Sequence, residues 1–158
     1  MAKVVFITGA STGIGKAVGE FLLSKGYRVY GSSRNPEKYS ETKFPLLAID
    51  VRKPETIATA IKQVVANENR LDVLVNNAGV GITGPIEETP DAEIQNVFDT
   101  NVYGPVRVIK AVLPQMRKQN SGLIINITSI AGYMGLPYRG FYSASKGALE
   151  LITEALRM

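Results

Sequence analysis

A chain of 158 residues, 45% hydrophobic and 20% charged, is long enough for one domain with a substantial core and too apolar for disorder. It contains no cysteine and no histidine, which excludes disulfides, thiol nucleophiles, Ser-His-Asp triads and the usual zinc ligand sets, so no metal site is expected. The 18 basic and 14 acidic residues give a net charge of +4, scattered with no basic run longer than two, so the chain does not read as a nucleic-acid surface.

Lys3-Val-Val-Phe-Ile-Thr8 is a β-branched and aromatic run that reads as a buried first strand. It resembles a short signal core but runs straight into a glycine turn, so the strand reading holds. No apolar run reaches the ~18 residues of a membrane span, so no membrane partner and a cytoplasmic location are expected. The turn is Gly9-Ala-Ser-Thr-Gly13-Ile-Gly15, and Ile14–Lys25 follows with helical spacing, Val18, Phe21 and Leu22 sharing a face. Strand, glycine turn and helix make the context of a dinucleotide site. Gly9 permits a tight turn, Gly13 lets a phosphate approach the backbone, and Gly15 lets helix and strand pack closely. The helix N-terminus offers free N–H groups and a positive dipole end, and Ser11 and Thr12 add hydroxyls.

Gly26-Tyr-Arg-Val-Tyr-Gly-Ser-Ser33 reads as the second strand after a glycine helix stop. A site for NAD places Asp or Glu at the end of this strand, but here the end is Ser32-Ser33-Arg34. Arg34 can meet a 2′-phosphate with charge-assisted hydrogen bonds, and Ser33 can add a donor. The expected cofactor is therefore NADP(H) in preference to NAD(H), with an exposed loop arginine as the plain alternative.

A third strand is expected at Leu46–Asp50, a helix at Pro54–Ala66 opened by Pro54, and a fourth strand at Leu71–Val75. A helical stretch begins near Asp91 and resumes through Val102–Lys118. Gly104-Pro105 is expected near a turn within it, and Pro114 is expected to kink or break it. A fifth strand, Leu123–Thr128, leads into a Gly/Pro-rich loop from Gly132 to Gly140, and a last helix runs from about Phe141 to the chain end. Alternation of strands and helices implies an α/β fold with a doubly wound parallel sheet. Right-handed crossovers give the order 3-2-1-4-5, with a cleft between the first and fourth strands.

Tyr142-Ser-Ala-Ser-Lys146 places a phenol and an ammonium at i and i+4 on the last helix, thirteen residues after Ser129. The ammonium can favour the ionised phenol, which then exchanges a proton with a carbonyl oxygen or an alcohol.

Thr8-Gly-Ala-Ser-Thr-Gly-Ile-Gly15, Asn76-Asn-Ala-Gly79, Asn101, Ser129 and Tyr142-Ser-Ala-Ser-Lys146, in this order and at these separations, closely resemble the short-chain dehydrogenase/reductase family over residue 3 to the end. The resemblance implies a Rossmann-like fold and an NADP(H)-dependent enzyme that interconverts a small-molecule carbonyl and a secondary alcohol by hydride transfer. It implies Tyr142 as the general acid/base. Lys146 would tune that phenol and hold the nicotinamide ribose. Ser129 would bond the substrate oxygen, and Asn101 would hold a relay water. Gly9, Ser11, Thr12, Gly13, Ile14 and Gly15 would cradle the cofactor. Asn77, Ala78 and Gly79 would line it, and Asp50 and Val51 would meet its adenine. A homodimer or homotetramer is implied for the full-length protein. Singly, Asn76–Gly79 also reads as a turn, Asn101 as a helix cap, Ser129 as a strand end and Asp50 as a loop carboxylate.

The chain departs from the family pattern at Met158, where it stops inside its last helix without a glycine or proline stop. Family members continue with at least two more strands and a substrate lid. Residues 1–158 are thus expected to be a single dinucleotide-binding domain truncated at its C-terminus, part of a longer enzyme rather than the alternative of a real short form, with its fifth strand left as an edge and little activity alone. Two other readings stand beside the enzyme: an NADP(H)-binding sensing module without turnover, and a structural fragment that dimerises through its long helices. Tyr133, Met134, Leu136, Pro137 and Tyr138 read as an apolar substrate wall or as loop packing.

Overall fold

The structure, a computed structural model, describes residues 2–157. Five strands, β1 (Val4–Ile7), β2 (Arg28–Ser33), β3 (Leu46–Ala48), β4 (Val73–Asn76) and β5 (Leu123–Asn126), form one parallel sheet in the order β3-β2-β1-β4-β5. The helices are α1 (Gly13–Ser24), α2 (Pro54–Glu68), α3 (Asp91–Phe98), α4 (Gly104–Lys118) and α5 (Gly140–Leu156). The strand order and the α/β class are those read from the sequence.

β1 shows why the sheet is buried on both sides. Successive side chains alternate faces, and all four residues of this strand are fully buried. Val4 and Phe6 pack with Ile57, Ile61 and Val64 of α2 and Val108 and Val112 of α4. Val5 and Ile7 pack with Val18 and Leu22 of α1. Phe44 fills the space on that side. A Cβ on Gly19 of α1 would stand 2.5 Å from its ring, and one on Gly31 of β2 would stand 2.7 Å from it. Asp72 then locks β4 to β1 by accepting from the Val4 N–H at 2.8 Å while the Arg70 fork holds its carboxylate.

Several element bounds differ from expectation. Asp50 lies two residues beyond β3, β5 ends at Asn126, and α2 runs to Glu68. The helix after Asp91 does not turn at Gly104-Pro105. It passes through a π turn, Asp99–Tyr103, in which the Gly104 N–H bonds to Asp99 O, five residues back. Gly104 then sits against Val51, whose Cγ2 would be 2.9 Å from a Cβ there. Pro114 does not break α4. The carbonyl it leaves without a partner is that of Lys110, an exposed residue that water can reach. The expectation that α5 reaches the chain end touches Met158, which lies outside the described residues. Among the described residues, no helix is long and apolar enough to cross a membrane.

Candidate active site

The glycine turn and the end of β4 are laced together before any ligand arrives. Thr8, buried at the end of β1, accepts with Oγ1 from the N–H groups of both Asn77 and Ala78 at 3.0 Å. The Asn77 amide donates to Thr8 O and Gly9 O, each at 3.0 Å. Gly9 has φ +65°, and a Cβ on it would stand 2.9 Å from Ala78 Cα. Gly15 is confined equally, with Gly9 O 2.6 Å from where its Cβ would be. Gly13 is different. Its φ is +55°, and nothing lies within 4 Å of its Cβ position. The turn thus uses two glycines for close packing and leaves the third facing open space. Thr12 caps α1 without a side-chain hydrogen bond, and no acidic residue lies in the first turn, so the N-terminal N–H groups remain free for an anion.

A cleft of about 520 Å³ opens from this cradle along the C-terminal ends of the strands. Gly9, Ser11, Thr12, Ile14, Ser33 and Arg34 line it from the glycine turn and β2. Asp50, Val51, Asn77, Ala78 and Gly79 line it from β3 and β4. Free helix N–H groups, an open glycine and a cleft of this size fit the phosphates and adenine half of a dinucleotide. Ser32 holds the turn to β2: its hydroxyl accepts from the Gly9 N–H at 3.3 Å and its carbonyl from the Ala10 N–H at 2.9 Å. Arg34 follows as an exposed cation at the rim. Asp50 is held by the Arg52 fork, with Nε on Oδ1 at 3.0 Å and Nη2 on Oδ2 at 2.7 Å. Arg52 also donates to Asn96 Oδ1 at 3.0 Å. Hydrogen bonding to Arg52 lowers the Asp50 pKa to about 2.

The other end of the site is built on α5, the π turn and the loop after β5. Lys146 is buried, and its Nζ donates to Ile127 O at 2.8 Å. Burial lowers its pKa. Nζ lies 5.9 Å from the centroid of the Tyr142 ring, and the Arg139 guanidinium lies 5.9 Å from the same ring. Asn101 stands in the π turn with its carboxamide occupied. Oδ1 accepts from the Val80 N–H at 2.9 Å, and Nδ2 donates to Val80 O at 2.9 Å and to Ser145 Oγ at 3.1 Å. Ser129 caps the short turn Ile130–Gly132, its Oγ accepting from the Ala131 N–H at 3.2 Å.

Comparison with known proteins agrees with this fold. The family model described as short chain dehydrogenase matches residues 3–158. The chain belongs to this family. A 3-ketodihydrosphingosine reductase of Bacteroides thetaiotaomicron is 46% identical over 99% of this chain and 58% of its own length. Human 17-beta-hydroxysteroid dehydrogenase type 1 is 37% identical over 97% of the chain and 51% of its own length. The solved structure of ElxO with NADP bound superposes with a TM-score of 0.90 at 34% identity, covering 99% of this chain and 67% of that one. The chain thus spans little more than half the length of the curated relatives it is compared with.

As a short-chain dehydrogenase, the chain shows its sequence-read residues in two groups. The cradle and cleft residues come together at the strand ends. Asn101 and Lys146 meet around Gly79, where a Cβ would stand 3.3 Å from Asn101 Oδ1 and 3.6 Å from Lys146 Nζ. Tyr142, Lys146, Asn101 and Ser129 do not line the enclosed cleft. Sequence reading missed Ser32, Tyr39, Arg52, Asn96 and Thr100 as cleft residues. Arg52, two residues from Asp50 and of opposite charge, carried a local signal, whereas Asn96 and Thr100 arrive only through the packing of α3.

Proposed function

We propose that the protein is an oxidoreductase that interconverts a carbonyl and a secondary alcohol, with NADP(H) preferred over NAD(H) and Tyr142 as the general acid/base. The observation that carries this reading is the placement of Tyr142 and buried Lys146 on one face of α5, at the same end of the sheet as the glycine cradle. When bound, a nicotinamide cofactor supplies or accepts the hydride. Gly9, Ser11, Thr12, Gly13, Ile14 and Gly15 would hold its phosphates. Asp50 and Val51 would meet the adenine, Asn77, Ala78 and Gly79 would line the cofactor, and Arg34 with Ser33 would meet a 2′-phosphate.

In carbonyl reduction, the Tyr142 phenol gives its proton to the substrate oxygen, which Ser129 steadies through a hydroxyl hydrogen that its cap bond leaves free. The Lys146 ammonium stands by the ring and offsets the charge left on the phenol oxygen. The proton is replaced through water. The Asn101 side-chain oxygen already accepts from the Val80 N–H and its amide N–H groups are engaged, so the backbone carbonyl of Asn101 is the group left to accept from that water. Its ordinary helical partner would be the N–H of residue 105, and Pro105 has none.

The substrate we propose is a large apolar ketone or alcohol. Ile86, Ile130, Tyr133, Met134 and Tyr138 are exposed on the loops beside Tyr142. The two loops are tied by the Gly84 N–H donating to Tyr138 O at 2.8 Å. The relatives named above are called a ketodihydrosphingosine reductase and a hydroxysteroid dehydrogenase, names that point to apolar substrates. Steady-state oxidation of NADPH by the full-length protein, with 3-ketodihydrosphingosine and a keto-steroid as substrates, tests the reading. Tyr142→Phe should lose at least about a hundredfold in turnover and keep cofactor binding. A wild-type protein that binds NADPH but turns over neither ketone would favour the sensing module.

A further inference from the structure

We propose that Ser145 is a positioning residue for proton transfer: it pins the π turn that carries Asn101 to the turn of α5 that carries Tyr142 and Lys146. The inference rests on the activity proposed above and deepens the account of the same site.

Ser145 is 0% exposed, in the middle of α5. Helix propensity does not ask for serine there, since alanine suits a helix interior better. Packing alone does not ask for a hydroxyl either, since a buried hydroxyl is unfavourable unless it is bonded. Its two hydrogen bonds supply the reason. The hydroxyl donates to Tyr142 O at 2.7 Å and accepts from Asn101 Nδ2 at 3.1 Å. Among the described residues, no other side-chain hydrogen bond joins the π turn to α5.

The consequence follows from what Asn101 already does. Its remaining amide bonds go to the backbone of Val80, next to Gly79 at the end of the β4 loop. Asn101 therefore has one contact with the β4 loop and one with α5, and Ser145 is the second. A π turn is an irregular backbone segment, held in place by tertiary contacts. Without Ser145 the turn keeps its hydrogen bonds to the β4 loop and loses its side-chain hydrogen bond to the catalytic helix, leaving packing alone to hold the two together. The distance between the Asn101 carbonyl and the Lys146 ammonium is then free to drift. Small errors of that kind slow a proton step without touching cofactor binding.

The test is Ser145→Ala in the full-length enzyme, beside Ser145→Thr, Asn101→Ala and the double variant Asn101→Ala/Ser145→Ala. We expect kcat for ketone reduction to fall about tenfold in Ser145→Ala, with KM for NADPH within about twofold of wild type. The solvent deuterium isotope effect on kcat should rise as the proton step becomes limiting. Ser145→Thr should restore most of the rate. In the Asn101→Ala background, Ser145→Ala should add little, because the two residues act through one bond. Amide hydrogen exchange at residues 99–103 should quicken in Ser145→Ala, a readout independent of turnover. Unchanged kcat, isotope effect and exchange would overturn the proposal. So would a loss of rate that tracks falling thermal stability with the isotope effect unmoved. A wild-type enzyme with no turnover on any ketone would instead overturn the activity on which it rests, and the exchange experiment would still decide whether Ser145 holds the turn.

Discussion

A Cβ on Gly15 would stand 2.5 Å from Nδ2 of Asn77, closer than real Cβ atoms approach a neighbour. A residue in the first turn of α1 and the residue that follows β4 are thus in direct contact, and the Asn77 amide that fills the space beside Gly15 is the one holding Thr8 O and Gly9 O. Gly15→Ala must displace that amide and break its bonds. The variant should lose about 1–3 kcal/mol of stability in urea unfolding and bind NADPH at least about tenfold more weakly by fluorescence titration. Gly13→Ala has open space around it and meets only the strain of a positive φ, so it should lose about 1–2 kcal/mol while its new methyl projects into the space proposed for a phosphate. A Gly15→Ala protein of wild-type stability would show that the contact yields easily.

Arg34 stands exposed at the end of β2, where no carboxylate is present to bind a ribose hydroxyl. A charge-assisted hydrogen bond to a 2′-phosphate is worth about 1.5–3 kcal/mol, or about a tenfold or greater preference. Arg34→Ala should lower the NADPH-to-NADH affinity ratio by at least about tenfold, leaving NADH affinity unchanged. Titration of both cofactors against both proteins measures it, and a ratio that survives the substitution assigns the preference elsewhere.

The parts of the site that the sequence revealed are those whose chemistry is local. Gly9, Gly13 and Gly15 announce a turn between a strand and a helix, and Tyr142 and Lys146 announce a shared helix face. Alternating elements give the strand order once crossovers are right-handed. What stayed hidden depends on contacts far apart in sequence. The engagement of the Asn101 carboxamide with Val80 and Ser145 spans 21 and 44 residues. The π turn was misread as a turn near Gly104-Pro105 because proline and glycine normally signal breaks. In place, Gly104 packs against Val51, and the chain stays helical through a π turn in which the Gly104 N–H bonds to Asp99 O. At Pro114 the expected break does not occur, since only the folded chain shows that the carbonyl it leaves without a partner belongs to exposed Lys110.

Asp50 carries a prediction about acid. Its carboxyl is held by Arg52 at about 2, below the usual 3.8. A depressed carboxylate contributes stability that is present above about pH 4 and is lost as pH falls through about 2. With Asp50 largely buried but Arg52 37% exposed, the contribution should be on the order of 1–2 kcal/mol. Asp72 is lowered as well, by Arg70, so wild type alone does not isolate Asp50. Urea unfolding of wild type and Asp50→Asn at pH 6 and pH 2.5 does. The gap between the two proteins should be largest at pH 6 and should shrink toward pH 2.5. A gap that does not change with pH would mean that the fork is not formed in solution.

Lys146 reverses the usual relation between a charged residue and stability. Its ammonium is buried, has Ile127 O as its protein acceptor, and its pKa is lowered by the loss of water. The unfolded chain therefore binds this proton more tightly than the native state does. Stability should rise with pH between the lowered folded value and the ordinary 10.5. Below that window the native protein holds an ammonium it solvates poorly. Lys146→Met fills the same volume without the charge, so at pH 7 it should be as stable as wild type or more so, and it should lack this part of the alkaline rise. Turnover by the full-length Lys146→Met enzyme should nevertheless fall at least about a hundredfold, because the cation beside Tyr142 is gone. Urea unfolding across pH 7 to 10, together with ketone reduction at pH 7, reads both effects. A Lys146→Met protein that is markedly less stable at pH 7 would show that the lysine is retained for the fold; one that is stable and inactive would show that the fold tolerates a buried charge that the chemistry requires.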